Sequence, residues 1–191
     1  TPVQDACDAA NWLVREGAAR GLDATRAALA GDSVGATLAT VLAIIAIQDP
    51  AELQLKPKAQ VLVYPVTDAT TQRPSHRDFA EGYLLETATL DWFYSSYLPP
   101  DADKSDAKLS PLHAADVSGL PPAYVMLGGY DPLHDEGLQY AEKLRAAGVK
   151  VNVADYPSMV HCFVYLQSFL PQAHEALSVA AKAVGAALTA R

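Results

Sequence analysis

Cysteine is scarce in this chain: Cys7 and Cys162 are the only two among 191 residues. A chain of this size does not depend on a disulfide framework, so its cysteines give no sign of an oxidising compartment, and the cytoplasm is the expected location. No Cys-x-x-Cys or His-x-x-x-His spacing occurs, which leaves a metal site without support and calls for no cofactor. Positive charge is also short. Fourteen Lys and Arg stand against 22 Asp and Glu, a formal net charge of −8. That balance argues against nucleic acid or an anionic membrane surface as partner, and a small uncharged substrate fits it best. The longest apolar run, Ala36 to Ile47, is too short to span a bilayer and reads as a buried helix. No signal peptide, internal repeat or low-complexity tract is visible. There is no initiating methionine either. Thr1-Pro2-Val3-Gln4-Asp5 opens directly into an amphipathic stretch with Ala6, Ala9, Ala10, Leu13 and Val14 at helical spacing, so the chain is expected to begin part-way through a longer unit.

What remains is rich in apolar residues, half of the total, enough to bury one substantial core and to form one domain or a large part of one. After the first helix, the pattern predicts a strand over Arg26 to Ala30, a helix over Ala36 to Gln48 and a second strand over Gln60 to Tyr64. Residues 66 to 120 break this rhythm with prolines, charges and one aromatic helix-like stretch, Thr87 to Leu98. They read as an inserted excursion whose Trp92, Phe93, Tyr94 and Tyr97 are expected to pack it onto the body. A third strand follows over Ala123 to Leu127, then a helix from Asp135 to about Ala147 stopped by Gly148. Val149, Val151 and Val153 alternate with Lys150, Asn152 and Ala154, which predicts a fourth strand with one wet face, near a sheet edge. A last helix after Pro171 aligns Ala173, Leu177, Ala180, Val184 and Leu188 on one side. Strands alternating with helices imply an α/β fold: a mostly parallel sheet covered on both faces, with catalytic groups gathered at the carboxyl ends of its strands.

Three loops lie at those ends. The first holds Gly31-Asp32-Ser33-Val34-Gly35, between a strand-like and a helix-like run. A serine hydroxyl attacks a carbonyl poorly unless held out of regular structure, near a base and beside free N–H groups, and a sharp strand-to-helix turn provides that perch. Such a turn demands small residues two before and two after the serine, here Gly31 and Gly35. A bland alternative is a serine that merely caps the following helix, and a phosphate loop is disfavoured because no Lys-Ser/Thr pair follows Gly35. The second loop, Gly128-Gly129-Tyr130-Asp131-Pro132-Leu133, offers Asp131 as the acid; Asp135 and Glu136 are rivals, but they start a helix, where acids commonly serve as caps. The third, Pro157 to Phe163, offers His161 as the base; His76, His113, His134 and His174 are less well placed. The order Ser, Asp, His is the one expected for nucleophilic serine catalysis on this architecture.

With these residues in hand, the chain resembles the hormone-sensitive-lipase-like esterases of the α/β-hydrolase superfamily, whose elbow reads Gly-Asp-Ser-Ala-Gly-Gly. The similarity runs over nearly the whole chain. It includes Ser110-Pro111-Leu112, Leu120-Pro121-Pro122-Ala123 and Asp131-Pro132-Leu133-His134-Asp135-Glu136-Gly137. The resemblance implies Ser33 as nucleophile, Asp131 as acid, His161 as base and the backbone N–H of Val34 as an oxyanion donor. It also implies hydrolysis of short-chain acyl esters; a peptidase or amidase, a non-catalytic small-ligand-binding module and an inactive fragment are the alternatives. The chain departs from the family at Val34 (usually alanine), at Ala36 (usually glycine) and at Cys162 (usually glycine after the histidine); the changes at Val34 and Cys162 are expected to narrow the pocket or slow the reaction. It also lacks the His-Gly-Gly-Gly-type loop that completes the oxyanion hole in relatives. Residues 1–191 are therefore expected to be the C-terminal half of an α/β-hydrolase domain. Their expected partner is the N-terminal half, as a separate or cleaved chain, and self-association is left open.

Overall fold

The computed structural model describes residues 1–189. Four strands form one sheet in the order β1-β2-β3-β4: Leu29–Asp32, Gln60–Val63, Ala123–Tyr130 and Val151–Val160. Every neighbouring pair is parallel. Six α-helices accompany them: α1 Pro2–Glu16, α2 Val34–Gln48, α3 Pro74–Asp78, α4 Thr87–Tyr97, α5 His134–Ala146 and α6 Pro171–Thr189. Among the described residues no helix is long and apolar enough to cross a membrane.

The two sheet faces bury different partners because strand side chains alternate. Val125 and Leu127 of β3 join Leu62 of β2 in a cluster with α2 and α5, whereas Tyr124 and Met126 point the other way, to Phe163 and α6. Leu62, Val125 and Leu127 are completely buried, each contributing roughly 1.5–3 kcal/mol by leaving water. Helix α2 is apolar all round, as its sequence requires. One side covers the sheet and the other meets α1 through Cys7 and Ala10. In α6 the predicted stripe is present, with Ala173 and Ala180 buried and Leu177 and Val184 partly so. At the sheet edge β4 alternates between exposed and half-buried residues over most of its length, as expected.

Three boundaries move. The first strand does not occupy Arg26 to Ala30: Ala24–Arg26 is a 3₁₀ turn started by Asp23, which accepts from the Thr25 N–H, and the strand instead runs through Gly31 and Asp32 to the threshold of Ser33. The third strand continues past Leu127 to Tyr130. The fourth continues to Val160, so Pro157 to Val160 is strand rather than loop and His161 follows it directly. Gly128 and Gly129 make that extension feasible. A Cβ on Gly128 would stand 2.9 Å from the Met159 carbonyl oxygen, and one on Gly129 only 2.4 Å from that of Pro157. The register is irregular between Gly128 and Tyr130, and Tyr130 ends opposite Val160.

The excursion holds α3 and α4. Three of the four aromatics do not pack it onto the body as expected: Trp92, Phe93 and Tyr97 are all exposed by half or more, whereas Tyr94 is half-buried. The anchoring comes from other residues: Ala114, Val117 and Leu120 join the core beneath the sheet, Phe79 and Tyr83 pack against Tyr130, and polar contacts hold the segment before α3. Leu90 is the buried residue of α4, while the Arg73–Asp68 pair at 2.7 Å and hydrogen bonds to α5 fix the neighbouring segment.

Candidate active site

Ser33 sits where β1 turns into α2, with φ 54° and ψ −124°. A non-glycine residue at positive φ costs on the order of 1–3 kcal/mol and persists only where surroundings over-determine it. Here the Ser33 N–H donates to the Val63 carbonyl at 2.9 Å, while its own carbonyl accepts from the N–H groups of Ala36 and Thr37 at 3.0 and 3.3 Å. The turn presses Gly31 against Gly35, so that a Cβ on Gly31 would lie 2.2 Å from the Gly35 carbonyl carbon. The expectation that both glycines are sterically required needs correction. A Cβ on Gly35 would meet nothing within 4 Å among the described residues, because it projects from the helix into open space. Val34 is the first residue of α2, where an N–H has no intrahelical acceptor. Its side chain is 60% exposed and points away from the packed turn.

The three strand ends bring Ser33, Asp131 and His161 together. His161 Nδ1 lies 2.7 Å from Asp131 Oδ2, and its Nε2 lies 3.1 Å from Ser33 Oγ. A carboxylate only accepts, so Nδ1 donates to Asp131; in the neutral ring Nε2 is then the acceptor facing the serine hydroxyl. The Leu133 N–H holds Asp131 Oδ1 at 2.9 Å, so both carboxylate oxygens are engaged. Asp131 and His161 are buried, while Ser33 remains half accessible. Burial opposes the imidazolium, but the hydrogen bond to Asp131, with the adjacent Cys162 acting in the same sense, outweighs it and raises the His161 pKa to about 9. Cys162 adopts the left-handed conformation at φ 63°, which explains why glycine would suit this position better.

Two further residues at the site escaped the sequence reading. Tyr64, fully buried with φ 35°, sets its ring 4.3 Å from the His161 ring, centroid to centroid, and limits its rotation. Its place at the carboxyl end of β2 was the available signal. Tyr165 donates its hydroxyl to Asp32 Oδ2 at 3.0 Å, linking the turn after the histidine to the elbow.

The rival groups are engaged elsewhere. His113 contacts Asp68, His134 lies between Asp135 and Asp155, and His174 is exposed on α6. His76 faces Glu136 at 3.5 Å, its pKa lowered by burial and then by Arg73. The expectation that Asp135 and Glu136 cap their own helix needs correction. Asp135 Oδ2 accepts from the Ser75 N–H at 3.0 Å, and Glu136 Oε1 from the N–H groups of Thr67 and Asp68 at 2.6 and 3.2 Å. Their carboxylates serve the excursion because its backbone donors are buried against α5.

Comparison with known proteins adds independent observations. A family model described as alpha/beta hydrolase fold matches residues 1–165. Ethyl acetate hydrolase of Pseudomonas putida is 44% identical over 185 residues, covering 96% of this chain and 57% of its own length. Carboxylesterase NlhH of Mycobacterium tuberculosis is 38% identical over 178 residues, covering 91% of this chain and 54% of its own. Among solved structures, EstE1, a thermophilic carboxylesterase cloned from a metagenomic library, is similar at TM-score 0.92 and 38% identity, over 100% of this chain and 64% of that one. The chain thus spans a little over half the length of these curated relatives.

Proposed function

The chain belongs to the α/β-hydrolase fold family, and from that premise we propose that it carries the nucleophile, base and acid of a serine carboxylic-ester hydrolase acting on short-chain acyl esters. One observation carries the reading: an unbroken line from Ser33 Oγ through His161 to Asp131, at the carboxyl ends of three parallel strands. The similarity to an ethyl acetate hydrolase supports the short acyl group.

In the proposed reaction the neutral His161 Nε2 takes the Ser33 proton as Oγ attacks the ester carbonyl carbon. The carbonyl π electrons move onto oxygen, and the Val34 N–H, free at the start of α2, is placed to meet that charge. When the intermediate collapses, the imidazolium returns its proton to the departing alcohol, leaving an acyl ester on Ser33. Water then repeats the sequence: His161 removes its proton, the acid departs, and Ser33 recovers its hydrogen. Asp131 holds the tautomer and stabilises the imidazolium throughout.

The proposal extends to a second oxyanion donor on a glycine-rich loop of an N-terminal half-domain, since no His-Gly-Gly-Gly segment occurs within the 191 residues. One such donor is worth about 10²–10³ in kcat. The test of the nucleophile is a fluorophosphonate, followed by intact mass. A single adduct on Ser33, absent in Ser33→Ala, is expected; labelling of the alanine variant at the wild-type rate would sink the assignment.

A further inference from the structure

We propose that Ser75, in the excursion, is a positioning residue for the acid loop, clamping Asp131 in the orientation that serves His161. The inference rests on the catalytic reading above, but its geometry is independent of it.

Asp131 lies just beyond β3, where the ladder with β4 has already become irregular, so strand pairing does not fix the residues that follow. Pro132 has no N–H with which to anchor the turn. The hold comes from a residue more than fifty positions earlier in sequence. Ser75 Oγ donates to the Pro132 carbonyl at 2.6 Å, the Ser75 N–H donates to Asp135 Oδ2 at 3.0 Å, and the Asp135 N–H points back to Ser75 Oγ at 3.4 Å. These contacts bracket Leu133, whose N–H fixes Asp131 Oδ1 while Oδ2 receives the His161 proton donor. Ser75 is almost completely buried, so water cannot readily replace its hydroxyl. Pro74 sets the backbone at the start of α3 and presents the Ser75 N–H outward from the first turn, where helical N–H groups lack internal partners. Glu136 adds a second anchor through Thr67 and Asp68. A segment without a triad member thereby sets the alignment of the acid.

The test reads His161 directly. Its ring is followed by NMR as pH is varied in the whole 191-residue chain, for wild type, Ser75→Ala and Ser75→Thr. The groups facing the imidazole, Asp131, Cys162 and Tyr64, are the same in all three. Loss of the clamp should lower the His161 midpoint by about one pH unit, the order expected when a charged pair loses alignment. Ser75→Thr, which keeps the hydroxyl, should restore it. Where hydrolysis is measurable, kcat should fall about tenfold with KM unchanged, as for a loss confined to the transition state. An unmoved His161 midpoint in folded Ser75→Ala overturns the proposal, whatever happens to stability. Should that variant fail to fold, Asp135→Ala, which releases the Ser75 N–H and the 3.4 Å contact to His134 but leaves the Ser75 hydroxyl on Pro132, is judged by the same shift. A midpoint that moves while Ser33 stays unlabelled by a fluorophosphonate even with the N-terminal half-domain supplied would retain the clamp and remove the esterase reading.

Discussion

Adding one methyl group to either glycine of the elbow should have opposite effects at the two positions. In Gly31→Ala the new Cβ would stand 2.2 Å from both the carbonyl carbon and oxygen of Gly35 and 2.8 Å from the Ala36 nitrogen, where ordinary contact begins near 3.4 Å. All three are backbone atoms of the first turn of α2, which cannot rotate aside. Overpacking usually costs 1–3 kcal/mol, and a clash with a whole backbone peptide unit places this substitution at about 3 kcal/mol. In Gly35→Ala the Cβ meets nothing within 4 Å. Alanine is also favoured over glycine in a helix by up to about 1 kcal/mol, somewhat less in the first turn. The variants should therefore differ by about 3–4 kcal/mol, or roughly 1.5–2 M in urea midpoint at a slope of about 2 kcal/mol/M. Unfolding followed by far-ultraviolet circular dichroism measures the difference. Fluorophosphonate labelling should slow in Gly31→Ala, where Ser33 is pushed from its position, and stay near wild type in Gly35→Ala. Midpoints agreeing within about 0.3 M, or a lower one for Gly35→Ala, would refute the assignment of the steric demand to Gly31 alone.

The features legible in the sequence are those that local chemistry imposes. Alternating strand and helix patterns imply a parallel sheet, and in such a sheet Ser33, Asp131 and His161 come from separate loops to a common end. The structure brings those three side chains into hydrogen-bonding distance. What the sequence hid depends on distant partners. Nothing local distinguishes an Asp135 that caps its own helix from one that accepts a hydrogen bond from Ser75, because both sit in the first turn of α5. Gly128-Gly129 reads as a flexible turn; only when β4 is laid beside it does the pair prove to be the place where the Pro157 and Met159 backbone comes too close for a side chain. The aromatics of α4 illustrate the converse. Apolar composition predicted burial, but Leu90 is the one fully buried residue of that helix and Tyr94 is half-buried, because other parts of the excursion hold it: Ala114, Val117 and Leu120 in the core, Phe79 and Tyr83 on Tyr130, and the Arg73–Asp68 pair.

Three further outcomes follow from the site's electrostatics. Asp131→Asn should leave His161 in the wrong tautomer and reduce kcat by about 10⁴; Asp135→Asn keeps an oxygen for the Ser75 N–H and should stay near wild type, so a larger loss at Asp135 would show that the acid is misassigned. Because hydrolysis needs a neutral His161 whose pKa is raised to about 9, kcat/KM should climb with pH through that value and then level; a plateau already reached at pH 7 would show that Asp131 does not raise the imidazole that far. The last concerns Glu136, fully buried, whose carboxyl is pushed up to about 8 by burial despite the hydrogen bonds from Thr67 and Asp68. Unfolded, it releases its proton near its ordinary value of about 4.3, so between there and about 8 the native chain holds a proton that the unfolded chain has lost. The difference ν_U − ν_N is negative, and this group's contribution, fully present below about 4.3, is lost as pH rises towards its folded value. Glu136→Gln keeps an oxygen for both backbone donors and cannot ionise. Its urea midpoint should therefore decline less than that of wild type between pH 5 and 8, and parallel curves for the two proteins would show that Glu136 does not enter the fold protonated.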